Sequence, residues 1–236
     1  MFQRRLLKVC GLTRVTDLRL AQRLGVDYLG AILEVERSPR SLSRETLPKL
    51  LRCAPRQGVV VTVSEDLSLL EQVARTAQAA AVQLHGGQSP ELAHKLAQRL
   101  PSPTEIWGVL AMPADSDEAR RRIGELAAEA EELAQAGVAK VILDSKVKGI
   151  SGGTGVPMNW ELAAQVVTSC RVPVLLAGGL TPANAAEALS VSAAAGLDVS
   201  SSVEASPGVK SPQAVRALAL AVANWEPGED SPREIS

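Results

Sequence analysis

Aromatic side chains are nearly missing from this sequence: three Trp, one Tyr and one Phe amount to 2% of 236 residues. Any sizeable core must therefore be assembled from Leu, Val, Ile and Ala. Cysteine is scarce as well. Cys10, Cys53 and Cys170 are odd in number, far apart and include no Cys-x-x-Cys pair, which argues against a disulfide framework and against a zinc site. A reducing, cytoplasmic setting fits. An excess of one charge is also lacking. The formal net charge of −1 leaves no global attraction to nucleic acid or to an anionic membrane. No apolar run approaches the ~18 residues that a membrane span requires. The start "MFQRRLLKVCGLT" has two arginines but neither the apolar centre nor the small-residue cleavage site of a signal peptide.

The remaining composition, 46% hydrophobic and 22% charged, is that of a soluble globular chain, and α/β barrels often reach this length as one domain. Short apolar, β-branched segments recur at 6–12, 28–33, 58–63, 81–86, 106–112, 140–146, 173–179 and 196–202. Between them run longer segments with helical spacing, such as "SPELAHKLAQRL" and "TPANAAEALSV". Ser89-Pro90 and Thr181-Pro182 read as helix caps followed by Pro at the first helical position. Eight strands, each followed by a helix, imply parallel pairing, and the count matches a single closed (β/α)8 TIM barrel over 1–224. A doubly wound open sheet is the plainer alternative, but it rarely needs eight such regular units. Residues 225–236, beginning "WEPGED", lose the periodicity and read as a polar, mobile tail.

In such a barrel the active site lies where the strands end. Strand one ends at Cys10, strand four at His85 and strand six at Asp144. The loop after strand two offers Arg40. Strand seven ends in Gly178 and Gly179, and strand eight supplies Asp198, Ser200 and Ser201. Alternation along a strand puts Lys8 on the same inward face as Cys10, and Gln83 on that of His85. Each residue alone has a blander reading. Cys10 can be packing and His85 a satisfied structural histidine. Asp144 can cap a loop, Asp198 can simply neutralise Lys8, and the glycines can form a tight turn. Six strands delivering polar or glycine groups to one rim outweigh those separate readings. The loops after strands seven and eight are where barrels commonly bind phosphate through backbone N–H groups.

The stretches "KVCGLT", "SPRSLS", "VQLHGG", "LDSK…SGGTG", "LAGGLTPANA" and "LDVSSSVEASPGVKS" fall in order along nearly the whole chain. Together they resemble the phosphoribosylanthranilate isomerase family of tryptophan biosynthesis. The resemblance implies an Amadori rearrangement with no metal and no organic cofactor. It implies Cys10 as general base, Asp144 as general acid, Arg40 on the anthranilate carboxylate and His85 at the rim. It also implies phosphate on Gly178, Gly179, Ser200 and Ser201 beside Asp198, and a mobile closing loop containing Gly152, Gly153 and Gly155. The partner expected is a small phosphorylated substrate, with no nucleic acid or membrane, for a monomer or a homodimer.

The pattern has departures. Ala31 stands where the family usually has an aromatic, Glu34 and Glu36 follow it, and Ser202 replaces a glycine of the eighth motif. Two acidic groups facing the rim would repel a substrate carrying carboxylate and phosphate. A diverged paralogue acting on another phosphorylated sugar is therefore an alternative, as is a non-catalytic phosphate-ligand-binding barrel. The related histidine-pathway isomerase usually has an aspartate where Cys10 stands, and "TVSEDL" lacks the glycines of that enzyme's second phosphate motif.

Overall fold

The computed structural model of the chain describes residues 4–86, 89–146 and 158–226. Its eight long-paired strands are β1 (Leu6–Val9), β2 (Tyr28–Leu33), β4 (Gly58–Thr62), β5 (Ala81–Leu84), β6 (Glu105–Pro113), β7 (Lys140–Lys146), β8 (Val174–Ala177) and β9 (Gly196–Val199), with a two-residue β3 (Ser41–Leu42) between β2 and β4. All neighbours in the ring are parallel, and β1 pairs with both β2 and β9, so the eight strands close into a barrel. Each expected strand is present at its expected place. β3 is an addition: it pairs with the end of β2 and holds the loop that carries Arg40 against the rim.

Helices α1 (Val15–Arg23), α2 (Thr46–Leu51), α3 (Leu67–Ala77), α4 (Pro90–Ala97), α5 (Ser116–Gln135), α6 (Trp160–Ser169), α7 (Ala185–Ser192) and α8 (Pro212–Ala223) complete the alternation. Ser89 and Ser211 accept from the N–H groups of Leu92 and Ala214, with Pro at the first helical position in both α4 and α8. The expected cap at Thr181 is not one. Residues 181–184 form a turn and α7 begins only at Ala185. Asn184 explains the delay: its Oδ1 accepts from the Thr181 N–H at 2.7 Å and its Nδ2 donates to the Gly179 carbonyl at 3.1 Å. The side chain stabilises the turn after β8 instead of letting the helix start there.

Alternation along the strands sorts the core into two layers. Val59, Val61, Ile142, Leu175 and Ala177 fill the barrel, whereas Val60, Leu143, Val174 and Leu176 point outward to the helices. The few aromatics close the base. Trp107 and Tyr28 meet edge to face, with ring centroids 4.6 Å apart. The Lys140 ammonium lies over both rings and pairs with Glu105 at 2.6 Å. With that end plugged, ligand access is left to the rim where the strands end. Beyond α8, Trp225 donates to Ser190 Oγ and lies under the Arg5 guanidinium, so the packed chain reaches the first residue of the expected tail. Residues 227–236 of that tail lie outside the described residues.

Candidate active site

The rim is organised around β1 and β9. Their register sets Lys8 beside Asp198, and Lys8 Nζ pairs with Asp198 Oδ2 at 2.7 Å with the lysine fully buried. Cys10 follows β1, tied to β9 by its N–H on the Val199 carbonyl at 2.7 Å. Its side chain is buried in the barrel's inner layer. Burial pushes the thiol above its ordinary range. Lys8 and Lys210 pull it down, but the charge of Asp198 opposes them. Asp198, as the partner of Lys8, thus works against the ionisation that the nearby ammonium favours.

Asp144 stands near the end of β7. Burial, reinforced by the negative charge of Asp198, raises its carboxyl to about 6. His85 follows β5, and its Nε2 lies 3.7 Å from Asp144 Oδ2, too far for a hydrogen bond. Burial and the Lys8 charge lower the imidazole pKa, which keeps it neutral at physiological pH. Gln83, one turn of the strand pleat below, approaches His85 Nδ1 with its amide at 3.0 Å. Donation from that amide requires Nδ1 to be bare, and the ring proton then sits on Nε2, facing Asp144. Two buried acceptors, Gln83 Oε1 and Asp198 Oδ1, have no hydrogen-bond partner among the described residues. Such atoms are costly unless a ligand or water satisfies them.

The turn after β8 is shaped by glycine. Gly178 has φ +86°, and a Cβ there would collide with the Ser145 side chain and stand 3.0 Å from Asp144 Oδ1. Only glycine lets this backbone pass so close to the acidic group. Gly179 follows at φ +65°. After β9, Ser201–Val203 form one 3-10 turn, so the first N–H groups of that turn lie free of intrahelical bonds. Among the described residues, the N–H groups of Gly179, Leu180, Ser201 and Ser202 have no protein acceptor. Free amides from two adjacent loops make a place for an oxyanion. Ser202 has negative φ within the turn, so the loss of a glycine there costs no backbone strain.

Arg40 arrives from the loop before β3. Its Nε and Nη2 donate to the two oxygens of Glu204 at 2.8 and 2.6 Å. Lys210 Nζ adds a bond to Glu204 at 2.9 Å and another to the Ser200 carbonyl at 3.1 Å. Glu204 and Lys210 face each other across a hairpin, β10 (Glu204–Ser206) and β11 (Val209–Lys210). Although burial opposes it, the hydrogen bonds from Arg40 and Lys210 hold the Glu204 carboxyl below its ordinary value. Both residues lie inside the quoted eighth motif, but neither ends an apolar run, so the strand-end pattern does not single them out. A buried-pair signal was there, a glutamate and a lysine six apart around Pro-Gly, but the turn between them is visible only in three dimensions.

The acidic departures do not crowd the site with unpaired charge. Glu34 is paired bidentately with Arg44 at 2.7 and 2.8 Å, and Glu36 is exposed. Ala31 is buried. With Asp144 protonated, Lys8, Arg40 and Lys210 face only Asp198 and Glu204, an excess of one positive charge. Gly152, Gly153 and Gly155 lie outside the described residues. Among those described, no group of His, Cys, Asp and Glu is placed to hold a metal, and no helix is long and apolar enough to cross a membrane. A cleft of about 470 Å³ between Tyr28, Arg56, Gln78 and Glu105 opens at the opposite, plugged end and gathers no acid–base pair.

A closed parallel barrel with a buried thiol and a carboxyl raised to about 6 on one rim has the form of a (β/α)8-barrel enzyme. The comparisons narrow the class. The family model described as N-(5'-phosphoribosyl)anthranilate (PRA) isomerase matches residues 7–220, and the chain belongs to that family. An N-(5'-phosphoribosyl)anthranilate isomerase of Myxococcus xanthus is 37% identical, over 93% of this chain and 98% of the relative. The crystal structure of phosphoribosyl anthranilate isomerase from Thermotoga maritima superimposes with a TM-score of 0.76 at 27% identity, covering 92% of this chain and 98% of the other. A further phosphoribosyl anthranilate isomerase structure, in complex with reduced 1-(o-carboxyphenylamino)-1-deoxyribulose 5-phosphate, has a TM-score of 0.72 at 25% identity, over 92% and 98% of the two chains.

Proposed function

We propose that this chain converts N-(5-phosphoribosyl)anthranilate to the 1-deoxyribulose 5-phosphate adduct, as a cytoplasmic enzyme of tryptophan biosynthesis. The observation that carries the reading is Asp144, a carboxyl raised to about 6 on the same rim as a buried thiol. A carboxyl that titrates so close to neutrality gives up its proton far less readily than an ordinary one and suits donation to the furanose oxygen. The C1–O bond breaks as that proton arrives, and the nitrogen lone pair forms a C1=N iminium cation. Cys10, as thiolate, takes the C2 proton, and the released pair forms C1=C2 while the nitrogen regains its electrons. Return of a proton to C1 and loss of the enol proton yield the ketone.

The iminium supplies positive charge beside Cys10, and this favours ionisation of a thiol that burial otherwise keeps protonated. The free amides after β8 and β9 suit the phosphate. Arg40, with its planar fork, suits the aryl carboxylate. The ligand named in the related complex carries both anionic groups. His85 stands beside Asp144 as a neutral neighbour.

Growth of a tryptophan-requiring strain that lacks this isomerase tests the reading. The wild-type chain should restore growth without tryptophan, whereas Cys10→Ser and Asp144→Asn, expressed to equal soluble levels, should not. Failure of the folded wild type to restore growth, with no conversion of the substrate in vitro, would overturn the proposal.

A further inference from the structure

Arg40 comes to the rim already half engaged. A guanidinium has five N–H donors in a rigid plane. Glu204 takes the edge formed by Nε and Nη2, with both of its oxygens. The remaining edge, Nη1 and the second Nη2 hydrogen, has no acceptor among the described residues. That edge has the spacing for a second, end-on carboxylate. Glu204 is itself held still: Oε1 accepts from Lys210 Nζ at 2.9 Å and from the Gly208 N–H at 3.3 Å. Its side chain is only 4% exposed. Gly11 completes the seat, since a Cβ at that position would stand 2.5 Å from Arg40 Cδ.

We propose that Glu204 is a positioning residue for carboxylate recognition, clamping one edge of Arg40 so that the other is presented, already ordered, to the substrate's aryl carboxylate. The proposal rests on the reading of Arg40 given above. Lys210 makes the clamp electrostatically affordable: two cations share one carboxylate, so the cluster keeps a net positive charge for an incoming anion. Without Glu204, Arg40 and Lys210 would repel each other, and the long arginine side chain would have to be ordered at the moment of binding. The second carboxylate is then recognised by a fixed fork instead of by a mobile charge.

Calorimetry with two ligands tests this. One is reduced 1-(o-carboxyphenylamino)-1-deoxyribulose 5-phosphate, and the other is its phenylamino counterpart without the carboxyl. Wild type should favour the carboxylated ligand by about tenfold or more, the scale of a hydrogen bond to a charged group. In Glu204→Gln the ratio should fall to about threefold or less, while the Kd of the ligand without the carboxyl stays nearly unchanged. Should Glu204→Gln fail to fold, Glu204→Asp keeps the charge for Lys210 but withdraws the clamp by one methylene, and its ratio should be intermediate. An unchanged ratio in the Glu204 variants overturns the proposal, as does equal binding of both ligands by wild type. A wild type that prefers the carboxylated ligand and shows the Glu204 effect, yet isomerises nothing, would sustain this inference and overturn the proposed function instead.

Discussion

Lys8 and Asp198 lie opposite one another in the β1–β9 ladder and close a 2.7 Å ion pair inside the barrel, where the lysine is fully buried. Opposite charges so placed stabilise each other only as a pair. Lys8→Met leaves the Asp198 carboxylate buried without its cation, and such one-sided removals cost about 3–5 kcal/mol. Replacing both residues with apolar ones of similar volume should recover most of that loss, without recovering turnover. Urea denaturation of the single and double variants checks this; a single-variant cost below about 1 kcal/mol would mean that the pair is not buried as described.

Asp144 predicts a stability that runs against the usual behaviour of carboxylates. Burial, then the charge of Asp198, raises it to about 6, from an ordinary value of ~3.9 in the unfolded chain. Between those values the folded state binds more protons than the unfolded state. The stabilising contribution is therefore complete below the unfolded value and is lost as pH rises through about 6. Asp144→Asn removes the ionisation. At pH 8 the variant should exceed wild type in stability by about 3 kcal/mol, and at pH 4 most of the advantage should be gone. An advantage that is the same at both pH values would assign it to packing.

The same residue and Cys10 together shape the pH–rate profile. The active form needs a protonated carboxyl and a thiolate, that is, one proton shared by two groups. The singly protonated pair accumulates as pH rises through the lower constant and disappears above the higher one. kcat/KM should therefore rise through about 6 and fall only above the ordinary thiol range, because burial pushes Cys10 upward. Asp144→Asn should erase the lower limb and cost roughly 10²–10⁴-fold in kcat, and Cys10→Ser should cost a similar factor. A kcat/KM that falls through pH 6 would contradict the assignment of acid and base.

Alkylation should follow burial before function. Cys10 is buried and its thiol is raised, whereas Cys53 is only partly covered. In the free protein Cys53 should react first, and Cys10 slowly, as mass spectrometry of partly modified samples would show. Fastest labelling at Cys10 would mean that the rim is far more open than it is here.

Gly178→Ala isolates the close approach of β7 and β8. The added methyl meets the Ser145 side chain at a residue of positive φ. Overpacking and strain together should cost about 2–4 kcal/mol, and displacement of Asp144 should lower kcat as well. Thermal unfolding and turnover measured on one preparation check both effects; a neutral outcome would mean that the turn relaxes freely.

The alternation of short β-branched segments with helical ones was enough to specify the barrel, because a strand that must bury both faces and a helix that must bury one leave different periods in the chain. Cys10, His85, Asp144 and Asp198 were legible for the same reason: each is a polar residue ending an apolar run, and in a parallel barrel all such ends share one rim. An inward pairing of Lys8 with Asp198 stayed open as the plainer reading of Asp198, since closure makes the first and last strands neighbours. What the sequence could not decide was charge state and partnership. Whether Lys8 activates Cys10 or is spent on Asp198 depends on distances of a few ångströms between segments 190 residues apart. The turn that delays α7, the short β3 and the clamp of Glu204 on Arg40 rest on side-chain hydrogen bonds that no local pattern encodes. Those interactions exist only once the barrel has closed, because closure alone brings the loops after β2 and β9 within reach of each other.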